Sequence, residues 1–290
     1  MEPKTKLATS RQEAGSAFSQ IDLLVVCGVI MVLGALLMPA MARTRVNDQS
    51  FQCLNNLRNL MRAMQMYTHD YHDLFPPNPD DGNTTPGYNW CPGQAGIGSQ
   101  NEFDGDLLKD LSRSLLAPYL ATNITLFRCP SDTRTGRSTA ASTLGQVVPA
   151  ARNVSMNGAV GTDPYSKGGQ LPVDGPWLDG THSNTRNGPW FTFGKTTSIV
   201  RPSPATLLVL LDENPISVSD AGFQVTMVSS RFIDGPGSFH NFGCSMAFAD
   251  GRGEIKKWLD ARTSWTTFAA NYLPPNPDVT WIQERTTALK

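Results

Sequence analysis

The feature that most constrains this chain is a long apolar segment that follows a short charged leader. Residues 23–42 contain no charged side chain, and about 20 apolar residues in a helix span the ~30 Å hydrocarbon core of a bilayer. Asp22 lies at the edge of this segment. A carboxylate is costly in lipid and usually has a functional role there. The sequence therefore predicts a transmembrane helix over residues 18–42 with one acidic group near its start.

The leader, residues 1–17, is typical of a targeting segment rather than of a folded domain. It is polar and without periodicity, and its basic residues outnumber its acidic ones. In an ordinary secretory signal the small residues of the cleavage site follow the apolar core, whereas here Gly15, Ser16 and Ala17 precede it. Cleavage after Ala17 would leave the apolar helix on the mature protein, with a new amino terminus at Phe18.

Residues 17–26 read Ala-Phe-Ser-Gln-Ile-Asp-Leu-Leu-Val-Val. They resemble the class III signal of type IV pilins and type II secretion pseudopilins, with Ala17 and Asp22 where that family most often has Gly and Glu. The resemblance implies cleavage of the Ala17–Phe18 bond by a prepilin peptidase and N-methylation of Phe18. It also implies that Asp22 pairs with the terminal amine of a neighbouring subunit during assembly, because a buried ammonium group needs a charged partner.

The topology of this anchor follows from the same resemblance. It implies a single-pass protein of the inner membrane, with the leader in the cytoplasm and an extracytoplasmic, periplasmic head. Basic leader residues favour the same orientation, although Arg43 and Arg45 closely follow the span. An uncleaved signal anchor, in which Asp22 is an incidental interfacial residue, is the alternative.

The helix is predicted to continue beyond the span. Over residues 43–74 apolar side chains recur at alternating three- and four-residue steps, which is typical of one buried face of an amphipathic helix; they are Cys53, Leu57, Leu60, Met64, Tyr67 and Tyr71. Prolines at positions 76 and 77 forbid further helix. We therefore expect one long helix, roughly residues 19–73. Its first half is apolar on all sides, and its second half packs on a globular head.

The head, residues 75–290, is predicted to be α+β with long loops. Runs of strands after helices favour an antiparallel sheet against the long helix, which is a pilin-like arrangement. A turn at Asp250-Gly251 predicts a hairpin over Gly243–Trp258. The other predicted elements are a helix over Asp106–Leu120 and strands over Trp190–Ile199, Thr206–Leu211 and Phe223–Phe232.

A second resemblance lies in the head. His240 precedes Asp250-Gly251 by ten residues, and this spacing resembles the H-x9-DG motif of a pseudopilin-like family abundant in Planctomycetes and Verrucomicrobia. Further segments that resemble landmarks of that family are Cys53–Pro76, Phe127–Asp132, Ser155–Asn157 and Leu211–Glu213. The resemblance implies a common architecture for most of the chain.

His240 and Asp250 could form a metal site, a ligand site or an acid–base pair. On one extended strand, however, they would lie ~30 Å apart. We therefore favour a structural interpretation, in which Asp250 and Gly251 make the hairpin turn while His240 hydrogen-bonds near it, and predict no metal there. The pair His69 and His72 has a possible metal spacing, but a polar cluster at a helix end is the preferred interpretation.

Two oxygen-rich segments, Asp80–Asn83 and Asp212–Asn214, could suit Ca²⁺. The major pseudopilins, which these segments resemble in this respect, have a Ca²⁺-stabilised loop, but the sequence has no EF-hand spacing. Walker, G-x-S-x-G, H-E-x-x-H and CxxC motifs are also absent from the sequence, so we expect no enzyme activity. With a formal net charge of −1, nucleic acid is not an expected partner.

The chain has five cysteines. Cys91 and Cys129 both flank a proline in loop-like sequence, and in an oxidising compartment they are the first candidates for a disulfide. The alternative, that all the head cysteines are buried thiols, stays open because spacing alone cannot decide.

These observations favour a pseudopilin-like structural subunit that joins other subunits in a type II secretion or type IV pilus-like filament. A membrane-anchored binding module that never polymerises is the alternative, with Trp90, Trp177 and Trp190 as stacking surfaces. An anchored hydrolase that uses His240 and Asp250 is a third, weaker interpretation.

Overall fold

The computed structural model describes residues 20–80, 83–264 and 271–290. Within the first helix, the side chains of residue 22 and residues 34–47 are not described. The predicted leader with Ala17 and Phe18, and the side chain proposed for subunit pairing, that of Asp22, therefore lie outside the description.

The first helix, α1, runs over Gln20–Asp70, a length of 51 residues. It ends where His72 and Asp73 adopt left-handed backbone conformations, with φ angles of 56° and 67°, shortly before Pro76. Among the described residues, no helix includes a stretch that is both long enough and apolar enough to cross a membrane. The predicted transmembrane segment, residues 18–42, includes positions outside the described side chains.

Residues 46–290 form one compact unit, and the second half of α1 belongs to its core. The predicted apolar face is buried there; its buried members are Cys53, Leu57, Leu60, Met64 and Tyr67. Tyr71 is the exception, because it lies beyond the end of α1, is 49% exposed and stacks on Tyr67 with ring centroids 4.2 Å apart.

A five-stranded sheet forms the centre of this unit, and its order is β5-β3-β4-β6-β7. The β3–β5 pair is parallel and the other pairs are antiparallel, so the unit is α+β. The strands are β3 Val154–Asn157, β4 Leu208–Asp212, β5 Gly222–Phe223, β6 Gly243–Phe248 and β7 Gly253–Lys257. A separate antiparallel ribbon pairs β1 Thr135–Arg137 with β2 Val147–Pro149.

The central strands β3, β4 and β6 are buried along their whole length, because both faces of the sheet are covered. Leu210 packs in one cluster with Leu57 and Leu60 of α1. Leu211 packs in a second cluster with Ile282, which belongs to the C-terminal helix α3, Pro277–Thr286.

The predicted hairpin is confirmed. Strands β6 and β7 pair in register from Gly243 opposite Lys257 to Ala247 opposite Gly253. Gly251 has a φ of 89°, a conformation that favours glycine, and the Asp250 carboxylate accepts a hydrogen bond of 2.9 Å from the Arg252 N–H.

Three predicted elements are wrong in extent. The helix expected over Asp106–Leu120 is only α2, Asp106–Lys109. Its continuation fails at Asp110, which is extended with ψ of 111°. The Asp110 carboxylate instead accepts hydrogen bonds from the N–H and hydroxyl of Ser112, a local alternative to the helical ladder.

The strand expected over Trp190–Ile199 forms only isolated bridges, at Trp190, Phe193 and Lys195, to three separate segments. The strand expected over Phe223–Phe232 is reduced to the two residues of β5, because the chain folds back so that Val225 bridges to Phe232. In both segments tertiary contacts override β-propensity.

Candidate metal centre

Four side chains from distant parts of the chain converge beside the sheet. They are Cys53, Cys129, Asp212 and His240, and their sulfur, oxygen and nitrogen ligand atoms all lie within 4.8 Å of one another. Each of the four residues is at most 1% exposed. We refer to these four residues as the Cys/His/Asp cluster.

Helix and sheet place two members of the cluster. Cys53 lies on the buried face of α1. Asp212 is the last residue of β4 and pairs with Val154 of β3, so its position is fixed by the ladder. The Asp212 carbonyl accepts a hydrogen bond of 2.8 Å from the Gly237 N–H, which draws the segment before His240 towards β4.

Loops place the other two members. The Cys129 N–H donates to the Asn153 side chain at 2.7 Å, which links the loop to the residue before β3. His240 precedes a tight turn in which Asn241 and Phe242 are both left-handed, with φ angles of 50° and 59°. Its N–H donates to the Gly243 carbonyl at 3.2 Å, so the turn connects directly to β6.

The ligand atoms are in direct contact. The Cys53 thiol donates to Asp212 Oδ2 at 2.9 Å. His240 Nε2 lies 3.4 Å from Asp212 Oδ2 and 3.4 Å from Cys129 Sγ. On the far side of the imidazole ring, Nδ1 lies 3.0 Å from the Ser50 hydroxyl. In the neutral tautomer that has its proton on Nδ1, donated to Ser50, the Nε2 lone pair faces the cluster.

Burial and charge shift the titration of these groups. Burial raises the pKa of Cys53 well above its usual value. Burial also acts to raise the pKa of Cys129, but hydrogen bonds with Cys53 and His240 outweigh it and leave that pKa lowered. Burial acts to lower the pKa of His240, and its hydrogen bonds to Asp212 and Cys129 reverse this and raise it to about 9. Cys129 is therefore the more readily ionised thiol.

A comparison with protein-family models matched part of this chain. Residues 50–191 match a family described as "Protein of unknown function (DUF1559)". The comparison with curated proteins found no match, and neither did the comparison with solved structures. The DUF1559 segment includes Cys53 and Cys129 and ends before Asp212 and His240.

The structure does not bring His240 and Asp250 together. Asp250 is exposed in the β6–β7 turn, as expected. The expectation that His240 hydrogen-bonds near this turn is wrong, because its ring faces Cys129 and Asp212 instead. The acid–base pair of the hydrolase interpretation is therefore not formed.

The expected disulfide between Cys91 and Cys129 is also wrong, since all five cysteines are free thiols. Cys91 is packed in the apolar cluster that contains the buried face of α1. The sulfur of Cys129, in contrast, lies beside His240. A proline next to each cysteine was therefore not a reliable sign that Cys91 and Cys129 form a disulfide.

The two oxygen-rich segments lie in different surroundings. Asp80 contacts His182 at 2.6 Å and Gln224 at 2.8 Å, whereas Asp81 and Gly82 lie outside the described residues. Asp212 belongs to the Cys/His/Asp cluster. Glu213 is buried, and its carboxylate accepts a hydrogen bond of 2.7 Å from Ser217.

The pair of histidines at the end of α1 remains separate from the cluster. His69 and His72 are both exposed, and neither belongs to the metal-capable group found within the described ranges. This agrees with a polar cluster at the helix end.

Sequence reasoning missed the Cys/His/Asp cluster although a signal was present. The four ligands lie in four segments that the sequence analysis had already singled out. They are the block that begins at Cys53, Phe127–Asp132, Leu211–Glu213 and the segment from His240 to Gly251. Each segment carries a cysteine, an acid or a histidine, which are the side chains that bind metals. Their spacing along the chain has no recognised motif, so only the fold reveals the convergence.

Proposed function

We propose that the protein is a pseudopilin-like structural subunit that assembles through α1 into a filament of the type II secretion or type IV pilus kind. The observation that carries this proposal is the distribution of apolar side chains along α1. In its second half one face is buried, whereas ten large apolar side chains of its first half are at least 45% exposed: Ile21, Leu23, Leu24, Val25, Val26, Val29, Ile30, Met31, Val32 and Leu33.

Such a surface requires a partner. Consecutive residues of a helix point to different sides, so ten exposed apolar side chains within 13 positions surround the helix rather than form one stripe. A helix that is apolar on all sides is covered by lipid or by other helices. In the proposed function the inner membrane covers it before assembly and the α1 helices of neighbouring subunits cover it afterwards.

The proposal includes the processing that the sequence predicts. A prepilin peptidase cleaves between Ala17 and Phe18, and Phe18 becomes the methylated amino terminus. Asp22 then neutralises the terminal amine of the neighbouring subunit within the helical bundle, where an unpaired ammonium group would be costly. The proposal places the head, residues 75–290, outside the membrane.

The test is incorporation into filaments in the native host. Asp22→Ala is expected to abolish co-purification of tagged with untagged subunits, while limited proteolysis of the head stays unchanged. Asp22→Glu, the matched control, keeps the carboxylate and is expected to assemble. Normal incorporation of Asp22→Ala would overturn the proposed pairing. Recovery of the wild-type chain only as a monomer with an intact leader would overturn the proposed function.

A binding module that does not polymerise is the second candidate, and one cavity favours it. Trp177 and His182 meet edge to face at 4.9 Å and line a cavity of about 380 Å³ together with Asp220 and Asp234. Trp90 takes no part, because it is fully buried in the core and donates to Asn78. Under this alternative the Asp22→Ala chain retains all of its activity, whereas Trp177→Ala loses binding of envelope glycans.

A further inference from the structure

We propose that Cys53, Cys129, Asp212 and His240 bind one structural Zn²⁺ ion, which fastens the second half of α1 to the central sheet. This inference is independent of filament assembly, since all four ligands lie within residues 46–290.

The chemistry of the donor set selects the metal. Two cysteine sulfurs, one imidazole nitrogen and one carboxylate oxygen are all established zinc ligands, and four protein ligands are typical of structural sites. Thiolates disfavour the hard cations Ca²⁺ and Mg²⁺, which prefer oxygen ligands. The cluster is therefore a zinc site by ligand type, rather than the calcium site that the oxygen-rich sequence around Asp212 suggested.

The distances also fit. Zinc–ligand bonds of ~2.0–2.3 Å in a tetrahedron place the donor atoms about 3.3–3.8 Å apart. The two contacts of His240 Nε2, with Asp212 and Cys129, are both 3.4 Å. The contact between Cys53 Sγ and Asp212 Oδ2 is 2.9 Å, and every pair lies within 4.8 Å. Side-chain adjustments of about an ångström or less complete a tetrahedron.

Asp212 supplies independent evidence for a bound cation. Its side chain is fully buried, and its Oδ1 atom has no hydrogen-bond partner within the part of the chain that is described. A buried carboxylate oxygen without a partner is costly. A zinc ion bound through Oδ2, the oxygen that contacts Cys53 and His240, neutralises the negative charge that Oδ1 shares.

The surroundings hold the ligands in place as in known metal sites. His240 Nδ1 lies 3.0 Å from the Ser50 hydroxyl, which orients the ring and directs Nε2 to the metal. The Ser131 N–H donates to Cys129 Sγ at 3.4 Å. The Ser245 N–H donates to Asp212 Oδ2 at 3.3 Å. Polar groups thus support three of the four ligands.

The position of the site indicates its role. The ligands come from α1, the loop before β1, the end of β4 and the turn before β6, so one ion would join four segments that are distant in sequence. All four residues are buried and all four coordination positions are filled by protein, which is the arrangement of a structural site. A disulfide between Cys53 and Cys129 is the competing outcome, and it would remove two of the four zinc ligands.

The first experiment measures zinc in the full-length chain, purified in detergent without added metal or chelator. Elemental analysis is expected to find one zinc per chain, and intact-mass analysis to find both thiols reduced. A chain without zinc whose mass is two hydrogens lower, with a cross-linked peptide that joins Cys53 to Cys129, would overturn the proposal. A reduced chain that contains no zinc and binds none on titration would also overturn it.

Variants then locate the site. Cys129→Ser and His240→Ala are each expected to lower zinc affinity at least 100-fold. Cys91→Ser is the matched control, because Cys91 is an equally buried free thiol outside the cluster, and it should keep one zinc per chain. Retention of stoichiometric zinc by both cluster variants would contradict the assignment.

Cobalt replacement needs no variant and therefore avoids the risk of misfolding. The wild-type chain loaded with Co²⁺ is expected to show tetrahedral d–d absorption and a sulfur-to-cobalt charge-transfer band from two thiolates. An octahedral spectrum without the charge-transfer band would exclude Cys53 and Cys129 as ligands.

Discussion

Asp212 and Asp234 are both buried aspartates of the same unit, but Asp212 lies among side chains that can bind a metal, whereas Asp234 lies among other acids. Asp212 faces a histidine and two thiols in the Cys/His/Asp cluster. Asp234 accepts a hydrogen bond of 2.6 Å from the Gln224 N–H. Burial raises the pKa of Asp234 well above its usual value, and the nearby acids Glu213, Asp220 and Asp80 raise it further.

One fold accommodates these two buried carboxyl groups in two different ways. Without a partner, a buried carboxylate is strongly destabilising, so it must either meet a cation or take up a proton. In our account Asp212 binds zinc, whereas the raised pKa of Asp234 favours its neutral form. The same substitution, aspartate to asparagine, should therefore have opposite consequences at the two positions.

The largest expected effect is that of Asp212→Asn. The variant loses one zinc ligand and therefore the zinc ion, which leaves the buried side chains of Cys53, Cys129 and His240 without the metal. We expect a loss of about 3–5 kcal/mol in the free energy of unfolding. Chemical denaturation with and without a chelator measures it. The chelator should destabilise the wild-type chain and leave the variant unchanged. Equal effects of the chelator on both chains would contradict the assignment of Asp212 as a zinc ligand.

Ser50→Ala tests the support of the zinc ligand His240. The variant keeps all four ligands but removes the hydroxyl next to Nδ1, so zinc affinity is expected to fall about 10–100-fold. Competition with a chelator of known affinity measures this change. Ser50→Thr, which keeps a hydroxyl, is the control and should restore most of the affinity.

Asp234→Asn should stabilise the chain at neutral pH, by more than the ~0.5 kcal/mol typical of surface substitutions. The folded-state pKa of Asp234 is raised, so the folded state binds more protons than the unfolded state, and stability falls as pH rises above the ordinary value of 3.8. The variant should lose this part of the pH dependence. Denaturation curves from pH 4 to pH 8 measure it, and an unchanged slope would contradict the account.

Asp250→Ala should have the smallest effect. The carboxylate is exposed and makes the hydrogen bond to Arg252 in the β6–β7 turn, so we expect a loss of about 0.5–1.5 kcal/mol and unchanged zinc content. Thermal unfolding and elemental analysis check both. Loss of zinc from this variant would mean that His240 and Asp250 act together.

The sequence predicted the parts of the fold that depend on local patterns. The periodicity of residues 53–67 indicated the buried face of α1, and Asp250-Gly251 indicated the hairpin. Segments whose structure depends on distant contacts were predicted poorly. Trp190, for example, forms a β-bridge with Leu289, which is about a hundred positions away. No local sequence pattern predicts that pairing.

The candidate metal site illustrates the same limit. Cys53 was correctly placed on the buried stripe, but its neighbour in space, Asp212, is 159 positions away. Metal motifs are recognised by short spacings between ligands, and this cluster has none. His240 was interpreted by its distance from Asp250 along one strand, whereas its ring contacts Cys129 and Asp212 from distant parts of the chain.

X-ray absorption at the zinc edge of the full-length protein tests the contrast between the two aspartates most directly. Our account predicts four-coordinate zinc with two sulfur ligands at about 2.3 Å and two nitrogen or oxygen ligands at about 2.0–2.1 Å, and the same spectrum for the Asp234→Asn variant. Zinc surrounded only by oxygen and nitrogen, or a spectrum changed by Asp234→Asn, would contradict it.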